Sequence, residues 1–430
     1  MTDHAFWHPF SDMAAVRESG LFTLTRADDV WLWDERGERY LDATASLWYA
    51  NVGHGRAEIA DAVRDQLLKL DAYSTFGDYA NEPSETLAAR LAAHAPMADA
   101  KVFLTSGGGD SIDTAAKLAR KHFAAVGEPE RVVLLSRANG YHGTHGFGTA
   151  IGGIEANRVG YGPLMDHTAL VPWDSLAALE ETIERIGPRR IAAFFAEPVI
   201  GAGGVLPPPE GYLEGVAALC REHGILFVAD AVICGFGRLG SWFGVERWGV
   251  EPDMITFAKG VTSGYLPLGG VVIAGHVAEP FYATPGTMIR HGATYAGHPA
   301  CCAAANANLD ILERERLVTR GRELEGELAA VLEPLAAHPL VREVRAGTGL
   351  LGAFELEPAA LAGGLTVPQV SLEMRARGVL TRPLGTSVAV SPPLTIGPAE
   401  LELIGEVARL SLDALLARTP SLAATGSAVK

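Results

Sequence analysis

From about Ala57 onward, short runs of consecutive apolar residues alternate with longer segments in which apolar residues recur every three or four positions. The runs are found in KVFLTS, RVVLLS, IAAFFAEPV, ILFVAD and DMITFAKG. Runs of roughly four to six residues with no polar alternation belong to strands covered on both faces. The segments between them, SIDTAAKLARKHFAA and GYLEGVAALCREHG among them, have the period of helices that would do the covering. Strands and helices in that alternation predict an α/β fold with a mostly parallel sheet. The two flanks read differently. In VWLWDERGERYLD, Val30 and Leu32 alternate with other residues and run into a turn at Arg36-Gly37, which predicts a hairpin. After Leu309, ILERERLVTRGRELEGELAAVLEPL predicts one long charged helix. Short strands follow in LVREVRAGTGLLGAFELE and GVLTRPLGTSVAVSPPL, and AELELIGEVARLSLDALLAR predicts a closing helix. We therefore expect a large domain over 58–309 and a smaller α+β domain assembled from 1–57 and 310–430. The polar end, Thr419–Lys430, reads as a frayed tail.

Composition narrows the function. The 430 residues carry 35 Lys+Arg against 51 Asp+Glu, a net charge of −16, and 48% are hydrophobic. Such a chain can bury a large core, and it repels a phosphate backbone, so nucleic-acid binding is set aside. The four cysteines form no C-x-x-C pair, so neither a disulfide framework nor a zinc site is expected. MTDHAFWHPF lacks a basic and then apolar leader, and the longest apolar stretch, Gly224 to Gly237, is interrupted by Asp230 and too short to span a bilayer. The expectation is a cytoplasmic protein with no membrane partner and no metal.

Four stretches carry chemistry. In LTSGGGDSIDTAAKLAR a strand ends at Thr105, glycines follow, and a helix starts near Asp110 or Ser111, either of which suits an N-cap. Free N–H groups at that junction favour a phosphate, though a tight turn needing glycine dihedrals explains the same letters. In ILFVADAVICGFGRLG a core strand delivers Asp230 at its C-terminal end, where α/β folds place ligands and where a carboxylate needs a cation or donors. Gly235 to Gly240 also matches G-x-G-x-x-G, but SWFGVERWGVEPD follows without a long helical pattern, so a nicotinamide-linked dehydrogenase is only a remote alternative. In PDMITFAKG, Lys259 stands at the mouth of another core strand, either as a desolvated nucleophile able to form an imine or as a lysine that snorkels to water. In RHGATYAGHPACCAAANANLDIL, a polar loop holding His291, Thr294, Tyr295 and His298 precedes an Ala-rich helix; the two histidines lack a third metal ligand. A phosphate cradle, a strand-end Asp, a strand-end Lys and a Thr loop together supply what pyridoxal phosphate needs.

At these residues the chain resembles the class III (ω-amino acid and amine) aminotransferases of the fold-type-I pyridoxal phosphate enzymes. The likeness runs from FWHPF at 6–10 to SPPL at 391–394. It includes SGGGD, YHG at 141–143, EPVIGAGGV at 197–205, D-x-V-x-x-GFGR-x-G at 230–240, the FAKG lysine and HGATYAGHP at 291–299. The resemblance implies a seven-stranded, mostly parallel sheet between helices, plus the smaller α+β domain. It implies that Lys259 is the Schiff-base lysine and proton shuttle, that Asp230 partners the pyridine nitrogen, and that Val232 lies under one ring face. Tyr141 would stack on the other face, with His142 beside it either sharing the cofactor or serving as a buried hydrogen-bonding residue. Gly107 and Gly108 would belong to the phosphate loop, and Glu197 would position an arginine or the 3′-oxygen side. Thr294 would reach the phosphate of the other subunit, which implies a homodimer or a dimer of dimers. Two positions depart from the family pattern: Ser106-Gly107-Gly108 where S-G-S is usual, and Asp230-Ala231-Val232 where D-E-V is usual.

For the substrate, Arg382 resembles the arginine that pairs with a carboxylate and swings away for apolar amines; an edge-strand surface arginine is the alternative. Trp48 and Tyr49, with Trp7 and Phe76, are candidates for an aromatic pocket or for the core. The expected activity is transfer of an amino group from an ω-amino acid or primary amine to a 2-oxo acid, pyruvate foremost, in a ping-pong cycle. A 7,8-diaminopelargonate synthase, a glutamate-1-semialdehyde aminomutase and a catalytically silent pyridoxal-phosphate-binding homologue are the rivals within the fold.

Overall fold

A computed structural model describes residues 5–418, so Thr419–Lys430, read above as a tail, lies outside the described residues. The apolar runs form a seven-stranded sheet. In spatial order its strands are Lys101–Thr105, Gly269–Ile273, Met254–Phe257, Leu226–Asp230, Ile191–Ala196, Val133–Arg137 and Thr168–Val171. All neighbours are parallel except Gly269–Ile273, which runs antiparallel to both strands beside it. Alternate residues of one strand enter different apolar clusters, as the two-residue period of a strand requires. Phe227 and Ala229 join one cluster while Leu226 and Val228 join the other; Phe194 and Ala196 are likewise separated from Ala193 and Phe195. Burial on both faces is why these strands carry no polar alternation.

The predicted hairpin is present as Trp31–Asp34 and Arg39–Asp42, antiparallel, with Gly37 at φ 81° in its turn. It extends into a four-stranded sheet through Leu24–Asp28 on one side and Val379–Leu380 on the other, where Leu41 and Asp42 pair in parallel with Val379 and Leu380. A second four-stranded sheet contains Val341–Arg345, Gly352–Leu356, Ser387–Val390 and Arg382–Leu384, all antiparallel.

Two expected elements are corrected. The long charged helix after Leu309 is three helices, Pro299–Arg314, Leu317–Glu323 and Glu325–Leu332. Arg316 takes a left-handed conformation (φ 55°) that interrupts the first, and the second packs backbone against backbone on the GFGR stretch. There, a Cβ on Gly321 would lie 2.0 Å from the Gly237 carbonyl oxygen. The helix after the glycine run begins at Gly108, not at Asp110 or Ser111, with extended Gly107 at the N-cap and no side chain capping it. Asp110 turns instead to His145 (Nδ1 to Oδ1, 3.2 Å).

GFGRLG has a structural use. No helix follows it within the dinucleotide pattern; the next regular element is the short turn of 3-10 helix Val245–Trp248. Arg238, fully buried, donates from Nη1 to the carbonyls of Leu350 (2.9 Å) and Pro392 (2.6 Å) and from Nη2 to Asn51 Oδ1 (3.0 Å). Burial pushes its pKa down to about 10, with the charge of Asp42 opposing. Truncation would abandon three buried acceptors and leave a void. Arg238→Ala is therefore expected to destabilise the protein by about 3–5 kcal/mol, read from chemical denaturation. A loss below about 1 kcal/mol would contradict this account.

Candidate active site

The strands Leu226–Asp230 and Met254–Phe257 are adjacent and parallel, so both carry their C-terminal residues to the same edge. Asp230 ends the first, and Lys259 stands two residues beyond the second. Both line a cavity of about 190 Å3 together with Gly108, Gly109, Tyr141, His142, Glu197 and Val232. Residues drawn from five separated stretches of chain thus meet in one place.

Lys259 sits at φ 48°, an unfavourable region for a residue with a side chain, so its turn must be held from outside. Asn308, on the Ala-rich helix Pro299–Arg314, donates to the carbonyls of Gly260 (2.9 Å) and Val261 (3.0 Å). Gly260 also approaches closely, since a Cβ there would lie 2.6 Å from Asn51 Nδ2 and 2.8 Å from Phe236 Cβ. Burial lowers the Lys259 pKa below the usual lysine value; Asp230 and Glu197 oppose the shift and the charge of Arg382 adds to it. Of the two readings of this lysine, the structure supports the desolvated amine over the one snorkelling to water.

Asp230 is buried and satisfied. Its Oδ2 meets His142 Nδ1 at 2.8 Å, and its Oδ1 accepts from Val232 N (3.1 Å) and Thr256 Oγ1 (3.2 Å). His142 is therefore a hydrogen-bonding partner of Asp230 as well as a lining residue. Glu197, also buried, accepts from the amides of Tyr141 (2.9 Å) and Gly201 (2.9 Å). Burial, reinforced by the charge of Asp230, pushes the Glu197 carboxyl above the usual carboxylate range against the pull of His142 and those amides. The arginine near it, Arg137, is fully buried and donates to the Glu197 main-chain carbonyl rather than to the carboxylate. Burial also raises the pKa of the Tyr141 phenol.

The site fits the cofactor implied by the sequence on three observations. The first turn of Gly108–Ala125 meets the cavity with no side-chain cap on its amides, which is how a helix receives a phosphate. A Cβ on Gly108 would lie 3.0 Å from Val232 Cγ1, so glycine there keeps the floor open above Val232. An amine depressed by burial faces the same space as a carboxylate held by three donors.

Other candidates fall elsewhere. Arg382 is half-buried, with its guanidinium 5.0 Å over the ring of Trp48, and its charge acts on both Tyr141 and Lys259. Trp48 is 3% exposed and packs with Val199, Ile233 and Leu384. Tyr49 bonds Ser46 Oγ through its hydroxyl (2.6 Å) and covers Gly264, where a Cβ would lie 2.2 Å from the ring. Trp7 is 80% exposed and does not line the cavity of its own chain; Phe6 beside it packs on His8 instead. Phe76 and His291 line a separate surface hollow of about 780 Å3, and Thr294 is exposed near it. His291 bonds Thr114 Oγ1 (2.8 Å) and Lys117 Nζ (3.2 Å), and no metal-binding cluster occurs among the described residues. Among the described residues no helix is long and apolar enough to cross a membrane. Sequence reading missed Thr256, His145 and Asn308: each acts through a contact made across the fold, and none has a local signal beyond a polar letter in an apolar setting.

The sequence profile of the class-III aminotransferases matches residues 13–409. Among characterised relatives, putrescine–pyruvate aminotransferase of Pseudomonas aeruginosa is 37% identical, covering 94% of this chain and 93% of its own. Among solved structures, an (S)-enantioselective omega-transaminase from Thermomicrobium roseum superposes with a TM-score of 0.92 at 40% identity, over 96% of this chain and 97% of that one. An amine transaminase from an uncultivated Pseudomonas species, in a pyridoxal-phosphate-bound form, superposes with a TM-score of 0.91 at 37% identity, over 96% and 99%.

Proposed function

The chain belongs to the class-III aminotransferase family, and from that premise we propose that its site moves an amino group from a primary amine or ω-amino acid to a 2-oxo acid, pyruvate foremost. The enzyme is a pyridoxal-phosphate-dependent transaminase of fold type I. When bound, the cofactor supplies an electron sink that makes the donor's C–H bond acidic. In this reading Gly107 and Gly108 would hold its phosphate through main-chain amides, Val232 and Tyr141 would flank its ring, and Asp230 would hold the proton of its ring nitrogen. Lys259 Nζ would hold it covalently at rest; once the donor's amine has displaced Nζ, the freed amine would take the proton from the donor's carbon and return it to complete the transfer. Asp230 keeps one orientation because His142, Val232 and Thr256 each engage its carboxylate. Thr294, exposed in one chain, is read as serving the phosphate of a partner subunit in a homodimer. The lysine and carboxylate come from the large domain (58–309), while Arg382 and Trp48 come from the small one (1–57 with 310–430).

The observation that carries the substrate reading is Arg382, which stands on a strand of the second four-stranded sheet with its guanidinium 5.0 Å over the Trp48 ring and its Nε buried without an acceptor among the described residues. A planar guanidinium suits the carboxylate of a 2-oxo acid. The name of the Pseudomonas aeruginosa relative, which pairs an amine donor with pyruvate, supports the same choice. Donors (putrescine, β-alanine, 4-aminobutyrate, 1-phenylethylamine) assayed against pyruvate and 2-oxoglutarate test it. Arg382→Ala is expected to raise the KM for pyruvate about 100-fold, since charge-assisted hydrogen bonds are lost, and to raise that for 1-phenylethylamine less than about fivefold. Equal losses for both would refute the carboxylate reading.

A further inference from the structure

The segment after the hairpin is strained. Ala45 (φ 46°), Ser46 (φ 57°) and Trp48 (φ 61°) are all left-handed, and none is glycine. Such conformations persist only where the surroundings over-determine them, and they gather where a side chain must be aimed. Here the constraint is Asp42, which is buried. Its Oδ1 accepts from the amide (3.1 Å) and hydroxyl (3.2 Å) of Thr44. Its Oδ2 accepts from the amide of Ser46 (2.7 Å) and meets His54 Nε2 (2.9 Å).

Asp42 also lies at a crossing of chain ends. Leu380 pairs with it in parallel, so Arg382, two residues on, arrives beside the strained segment. The result is the guanidinium of Arg382 set 5.0 Å over the Trp48 ring, a cation–π contact. Both groups keep a donor unused: among the described residues, Trp48 Nε1 and Arg382 Nε are buried without an acceptor. Buried donors without acceptors are rare in folded proteins and call for an explanation. A carboxylate offers the two acceptor oxygens and the charge that this pair lacks.

We propose that Asp42 is a specificity-determining positioning residue, pinning the strained segment so that the Trp48 indole N–H and Arg382 together receive the substrate carboxylate. The proposal rests on the carboxylate reading of Arg382. It is tested on holoenzyme variants by the ratio of the KM for pyruvate to that for 1-phenylethylamine, and by the inhibition constant of propanoate, a carboxylate that cannot react. Trp48→Phe keeps an aromatic platform and deletes the N–H; it is expected to raise the KM ratio about tenfold and weaken propanoate by a similar factor. Asp42→Asn, which leaves both donors in place but loosens what holds them, is expected to shift both readings the same way. Trp48→Phe touches no bond of Asp42, so it reads the donor even where Asp42→Asn fails to fold. Parallel changes in both KM values, or a ratio within about twofold of wild type, would mean that the segment only packs, and would overturn the proposal. Arg382→Ala separates the two readings. If it leaves the ratio unmoved, the carboxylate reading itself falls; if it alone moves the ratio, that reading stands and this one falls.

Discussion

Lys259→Ala is expected to lower turnover by at least about 10³-fold, the largest loss of any single substitution in this protein. Two duties end with the amine: covalent attachment of the cofactor, and the proton transfer at the donor's carbon. Lys259→Arg is expected to fail as well. A guanidinium stays protonated at working pH, whereas the lysine is already eased toward its neutral form by burial. Fold should survive, because Asn308 and Gly260 hold the turn through main-chain contacts that do not involve the lysine side chain. The measurements are single-turnover kinetics with 1-phenylethylamine, thermal melting, and mass spectrometry after borohydride reduction. The wild type should carry the cofactor mass on the peptide containing Lys259, and the variant should carry none. Activity within about tenfold of wild type in Lys259→Ala would defeat the assignment.

Asp230→Asn is expected to cost about 10²–10³-fold in kcat, in line with the loss of one preorganised charge in a water-poor site. The amide keeps the volume of the carboxylate and can still accept from Val232 and Thr256, so a large stability loss is not expected. What it removes is the charge. The same charge raises the pKa of Lys259, so its removal must lower that pKa further. In cofactor-free protein, the reaction of Lys259 with acetic anhydride should therefore have its midpoint at a lower pH in Asp230→Asn than in wild type. A midpoint at higher pH, or a kcat within about threefold of wild type, would show that Asp230 does not act through its charge.

The core elements were legible because they rest on local patterns. Continuous apolar runs such as ILFVAD announced strands covered on both faces, and Asp230 and Lys259 stood out as polar residues at the ends of such runs. The misjudged elements fail for a tertiary reason. The charged stretch after Leu309 has a helical composition throughout, yet Arg316 breaks it so that Gly321 can lie against the Gly237 carbonyl. The N-cap moved from Asp110 to Gly107 because Asp110 found His145, which no local rule ties to it. Trp7, near the start of the chain, is exposed on its own chain, and no local pattern tells a pocket aromatic from a surface one there.

The sequence by itself determined the fold class and the cofactor, since these depend on period, on the order of elements, and on a few reactive residue types at element ends, and it determined the family through motifs such as FAKG and HGATYAGHP that resemble it. The tertiary structure decided how those residues are used. It turned GFGRLG from a nucleotide-like motif into a seat for Arg238, whose acceptors come from Asn51, Leu350 and Pro392. It also paired Asp42 with Leu380, and so set Arg382 over Trp48. Both outcomes depend on residues far apart in the chain, and on main-chain carbonyls that every residue possesses. Such contacts carry no local signature, and only folding brings them together.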